Sequence, residues 1–128
     1  LAPPARMTPY LTHFTQLVGL SLAMRDRLVS RVERYINAPI SELDLIAHAP
    51  RLGATKALAV HDVSDTVVPV ASAHELVAAW PGARLIETTG LSHDRVRRDT
   101  AVVSDVVEFV TGQRLEVAPT AAPVVSFA

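Results

Sequence analysis

The sequence predicts an α/β fold, and three observations predict it. Two short apolar runs, "TKALAVH" at residues 55–61 and "ARLIETTG" at 83–90, each lie between turn signals, as strands of a covered parallel sheet do. A helical stretch separates them and another follows, so the order after residue 50 is strand, helix, strand, helix. That order implies parallel strands joined by a right-handed crossover. Before residue 51 the periodicity is helical.

In chain order, "MTPYLTHFTQLVGL" places Leu11, Phe14, Leu17 and Val18 at helical spacing. "SLAMRDRLVSRVERYIN" repeats the pattern with Leu28, Val29, Val32 and Ile36, and a break is expected near Gly19 and Ser21. A third, short helix is expected from Ser41, where Ser41 and Asp44 have capping-box spacing before Leu45 and Ile46, and "APRLGA" ends it. The first strand follows. After Pro69, Ser72 and Glu75 have the same capping-box spacing, ahead of a helix through Trp80 that Pro81 and Gly82 stop. The second strand closes at Gly90. Asp99 is placed to cap a last helix, "TAVVSDVVEFV", whose Val102, Val103, Val106, Val107 and Val110 form one stripe before Gly112. Three segments result: a helical segment at 1–50, a βαβα unit at 51–114, and a tail at 115–128, "LEVAPTAAPVVSFA", expected to be loosely held. No internal repeat is present. Two parallel strands alone are marginal in water, so either the helices of residues 1–50 form an unusual cover, or the sheet is completed by sequence upstream of Leu1 or by a second copy of the chain, upstream sequence being favoured.

Composition narrows the function classes. The 128 residues suit one compact domain or part of one. Twelve basic and thirteen acidic side chains give a formal charge of −1 with no block of either sign, so nucleic acid and anionic membrane get no electrostatic support as partners. A small neutral molecule fits better. The absence of cysteine excludes disulfides, thiolate metal sites and a cysteine nucleophile. No apolar run approaches the ~20 residues of a membrane span, and "LAPPARMTPY" lacks the apolar core of a secretion signal, which leaves the cytoplasm as the default compartment.

Chemistry concentrates in "ALAVHDVSDTVVP", residues 57–69, and "GLSHDRV", residues 90–96. Asp65 lies five residues past Val60 and His93 five past Thr88, so both fall at the carboxyl edge of the sheet, where open parallel sheets bind ligands. Neighbouring strands run ~4.8 Å apart, close enough for an aspartate on one loop to accept the imidazole N–H of a histidine on the next. That pairing fixes the tautomer and leaves the other ring nitrogen free to take a proton. Read singly, Asp65 and His93 are turn residues; read together, they are two-thirds of a catalytic triad. His61 and Asp62 read as structural, hydrogen-bonding the turn that presents Asp65. Asp94, Arg95, Arg97 and Arg98 read as surface ion pairs. His13, His48 and His74 have no partner at ligand spacing, and Trp80 reads as packing.

At these residues the chain resembles the alpha/beta-hydrolase superfamily. "HDVSDTVVP" is similar to the H-G-x-x-D-x-x-V-P segment that carries the acid, and "GLSHDRV" to the glycine-then-histidine loop that carries the base. The resemblance covers residues 54–112 and implies the C-terminal part of that fold, with Asp65 as triad acid and His93 as general base. Asp62 departs from the pattern, which often has glycine there. Residues 1–50 look like a helical cap inserted before the acid strand. The implied activity is esterase-like acyl hydrolysis of a small ester-like substrate, with no organic cofactor and no metal. A nucleophile is not evident. "GLSLA", Gly19 to Ala23, is a near miss to G-x-S-x-G and precedes the acid and histidine in the order Ser, Asp, His. Helical periodicity before Gly19 makes Ser21 a helix cap instead, and the true serine and its oxyanion-hole loop are expected upstream of Leu1. Two other classes stay open: a His/Asp metal-dependent phosphohydrolase built on His13, His48, His61, Asp62, Asp65 and His74, and a non-catalytic hydrolase-like binding or dimerisation module.

Overall fold

The computed structural model describes residues 2–114, and the expected tail at 115–128 lies outside them. The chain is mixed α/β. Helices α1 (Met7–Leu17) and α2 (Leu22–Ile36) form where the apolar spacing predicts them. The break between them falls at Gly19, whose φ of 73° suits glycine, and Ser21 caps α2 by accepting the Met24 N–H at 3.3 Å. Asn37, in the left-handed conformation, closes α2.

The expected third helix is broken up. A 3₁₀ turn (Ile40–Leu43), a single α turn, α3 (Leu45–His48), and a second 3₁₀ turn (Ala49–Leu52) replace it. The Ser41–Asp44 capping box is absent, because Asp44 Oδ1 instead accepts the Met7 N–H at 2.7 Å and so caps α1 across the fold. The Ser72–Glu75 box is absent for a similar reason. Helix α4 (Ala71–Ala79) has no side-chain cap; Ser72 Oγ accepts the Ala5 N–H at 2.6 Å and Glu75 pairs with Arg6 at 3.0 Å. The spacing of each box is local, but Asp44, Ser72 and Glu75 all serve the N-terminal segment.

Strands β1 (Ala57–Asp62) and β2 (Ala83–Thr88) pair in parallel, in register from Ala57 with Ala83 to Asp62 with Thr88. They form a two-stranded sheet among the described residues. Helix α4 is the crossover. On one sheet face Val60, Val96 and Val102 form a buried cluster joined by Leu58, Ile86, Leu91 and Val106. A second cluster, Ala5, Ala49 and Leu76 with Ile46, Ala79 and Trp80, packs where α4 meets the N-terminal segment and α3. Trp80 packs as expected and also donates its indole N–H to Thr55 O at 3.0 Å. The free edge of β1 is met by the chain start, where the Ala2 N–H reaches Val60 O at 2.9 Å.

Helix α5 (Ser92–Arg95) is a single turn within the expected histidine loop, and α6 (Thr100–Thr111) follows. Asp99 caps α6 as expected, accepting from Ala101 and Val102, and Gly112 ends it at φ 73°. The valine stripe is only half used. Val102 is buried, whereas Val103 and Val110 are exposed, because the short sheet covers just one side of the stripe. Helix α2 likewise buries no residue, and Leu22, Met24 and Leu28 on it are exposed. No helix among the described residues is long and apolar enough to cross a membrane.

Candidate functional site

The carboxyl ends of β1 and β2 feed two loops that meet. From β1, a turn closed by the Asp65 N–H on Asp62 O at 3.0 Å brings the Asp65 side chain inward, fully buried. Its Oδ1 accepts the Val67 and Val68 N–H groups at 2.8 and 2.9 Å, an Asx turn that fixes the carboxylate on its own loop. From β2, Gly90 at φ 80° and Ser92 at φ 58° reverse the chain into α5, which carries His93. His93 Nδ1 donates to Asp65 Oδ2 at 2.8 Å. The juxtaposition expected from the sequence is therefore present. A carboxylate accepts only, so Nδ1 is the donor, and in the neutral ring Nε2 carries the lone pair. About a third of the His93 side chain is exposed, so that nitrogen belongs to a ring open to an approaching group.

His61 and Asp62 surround this pair. His61 is fully buried; its Nε2 donates to Val68 O at 2.7 Å and lies 3.5 Å from Asp65 Oδ2. Since a carbonyl cannot donate, Nε2 holds the proton, and Nδ1 is buried without a partner among the described residues. Asp62, also fully buried, accepts from Ser64 N at 3.0 Å, the Ser64 hydroxyl, Thr88 Oγ1 at 2.9 Å and Leu91 N at 2.8 Å. Burial opposes its ionisation, but the hydrogen bonds from Ser64, Leu91 and Thr88 outweigh burial and hold the carboxyl far below the usual carboxylate range. The reading of both residues as supports for the acid turn agrees with these contacts. What it missed is the reach of Asp62 across to the histidine loop, a long-range contact with no local signal.

Ser21 is not part of this cluster. Its hydroxyl caps α2, and the Ser64, Ser72 and Thr88 hydroxyls are engaged with Asp62 or the Ala5 N–H. The other histidines are dispersed: His13 bonds Thr66 O at 2.7 Å, His48 bonds Glu42 O at 2.8 Å, and His74 pairs with Glu87. Among the described residues no three His, Asp or Glu side chains are grouped to hold a metal ion. Arg97 and Asp94 form an exposed pair at 3.6 Å, while Arg95 caps the turn by donating to Gly90 O and Leu91 O. A cleft of about 190 Å³ between α1 and α4 borders the acid loop at Val68 and Pro69, beside Tyr10 and His13. A wider one of about 620 Å³ lies at the opposite end of the sheet, by Lys56, Gly82 and Phe109. The first adjoins the candidate site; the second does not.

No protein-family model, curated protein or solved structure matches the chain.

Proposed function

We propose that the chain supplies the acid and the base of a serine hydrolase of alpha/beta-hydrolase type, acting on a small ester-like substrate. One observation carries the reading: a buried aspartate, its other oxygen held by two backbone N–H groups, orients a partly exposed histidine at 2.8 Å beyond the carboxyl ends of two parallel strands. In the proposed reaction a serine from outside the described residues attacks the acyl carbon, and its hydroxyl proton passes to His93 Nε2. Collapse of the tetrahedral intermediate expels the alcohol, which takes that proton, and leaves an acyl-serine. Water then repeats the sequence with His93 again as base, releasing the acid. Asp65 stabilises the imidazolium that forms at each step without taking its proton.

Two measurements test this. The 128-residue chain, incubated with a serine-reactive phosphonate, is expected to take up no stoichiometric label; labelling at Ser21 would overturn the assignment of the nucleophile to another segment. In a protein that carries the chain together with its serine, His93→Ala is expected to lower turnover of an activated ester by a factor on the order of a thousand or more. An unchanged rate rejects His93 as base. The exposure of Leu17, Val18, Leu22 and Met24 favours a second reading, a non-catalytic module that uses this face to bind. Retention of ester turnover by a protein whose oligomeric state changes on Leu22→Ser would separate the two.

A further inference from the structure

Between the two loops lies a carboxylate that the proposed proton transfer does not use. Asp62 ends β1 opposite Thr88 in the register, and its four hydrogen-bond partners are all donors: the Ser64 N–H and hydroxyl, the Thr88 hydroxyl and the Leu91 N–H. The two N–H groups cannot accept, so a side chain here must present an acceptor to each of them. An ionised aspartate does so on both oxygens, whereas an amide would turn its NH₂ against a backbone N–H, that of Ser64 or that of Leu91, whichever way it was flipped.

The partners divide between the loops. Ser64 belongs to the acid loop, one residue before Asp65. Leu91 belongs to the base loop, two residues before His93. On either side of Leu91 the backbone is unusual, since Gly90 and Ser92 both have positive φ, and a serine there persists only when its surroundings over-determine it. The Leu91 N–H bond on one side, the buried Val96 on the other and the Arg95 bonds to Gly90 O and Leu91 O all constrain it, and of these only the first comes from the acid strand. The backbone bond from Val63 N to Thr88 O at 2.9 Å ties the strand ends together but stops short of this turn.

We propose that Asp62 is a positioning residue that clamps the base loop to the acid loop and thereby sets the contact of His93 Nδ1 with Asp65 Oδ2. Its importance for turnover rests on the hydrolase reading above; the clamp itself does not.

The test therefore reads the ring, not the activity. In the isotopically labelled 128-residue chain, nuclear magnetic resonance follows the His93 tautomer and the exchange of its Nδ1 proton with solvent. Asp62→Asn is expected to speed that exchange by on the order of tenfold or more, the factor for losing one charge-assisted hydrogen bond. Asp65→Asn is expected to abolish the slow proton, and Leu76→Ala, which loosens the other cluster, to leave it unchanged. Where Asp62→Asn does not fold, Thr88→Val decides, since it removes a single donor and is expected to speed exchange by a smaller factor. An unchanged His93 proton in folded Asp62→Asn, or in Thr88→Val where the first variant cannot fold, overturns the clamp. Loss of the ester turnover claim with the exchange effect intact would overturn only the hydrolase reading.

Discussion

Asp65 gives one oxygen to its own loop and the other to His93, and this division makes a flexible side chain a fixed one. The same economy of geometry recurs at Gly82. A Cβ there would lie 2.2 Å from the Thr55 carbonyl oxygen, a backbone atom that cannot move aside as a side chain does. The Ala57 N–H also bonds Gly82 O at 3.1 Å, so the start of β2 is pressed against the approach to β1. Gly82→Ala is therefore expected to destabilise the chain by about 1–3 kcal/mol, the range for forcing extra volume into a closed contact. The midpoint of urea unfolding measures it; a midpoint equal to the parent's would mean that the two segments are less tightly joined than described. Asp65 and His93 were legible in the sequence because each stands at a fixed distance from a strand end. Asp62 as a bridge was not, since Leu91 lies 29 residues away and nothing near Asp62 announces it.

Helix ends show where local patterns mislead. Ser-x-x-Asp at 41–44 and Ser-x-x-Glu at 72–75 satisfy a capping-box spacing, yet neither caps its own helix. The unpaired N–H groups of α1 and of the segment before it compete for the same acceptors, and they win because that segment is buried against α4 and α3. Asp99 had no competitor and caps α6 as its spacing predicts. These assignments separate experimentally. Asp44→Ala and Asp99→Ala are each expected to cost about 1 kcal/mol, the usual worth of a cap, while Ser41→Ala should stay within about 0.5 kcal/mol of the parent. Thermal or denaturant unfolding of the three variants checks the order, and a loss at Ser41 equal to that at Asp44 would restore the local box. The one-turn helix α5 has no signature in the sequence because four residues are too few for a period; it forms where the buried Val96 and the Leu91 N–H bond hold its two ends.

At the scale of the molecule, the described residues hold two small apolar clusters and a sheet of two strands, and a buried polar network at the strand ends carries a share of the stability beside them. Asp62 makes that share depend on pH. Its folded-state ionisation lies far below the unfolded value of about 3.9, so its contribution is present in full above that value and disappears as pH falls through the folded one. The parent chain is expected to lose stability more steeply below about pH 4 than Asp62→Asn does, with the two converging at the acid end. Urea midpoints taken across that range test the sign; parallel curves would mean that Asp62 titrates alike in both states. The exposed apolar side chains of α2 and the edge of β2 away from β1 belong to the same scale, as surfaces left uncovered among the described residues.

The sequence by itself determined the two strands, their parallel order, the long helices and the convergence of Asp65 with His93. Each of these follows from periodicity, from punctuation by glycine and proline, or from distance to a strand end, all of which act over a few residues. Tertiary structure alone decided which acceptor each free N–H took, which half of the α6 valine stripe met the sheet, and that Asp62 would join the two loops. Those outcomes depend on which groups compete for one another once distant segments meet, and hydrogen-bond competition has no period to read in a linear chain.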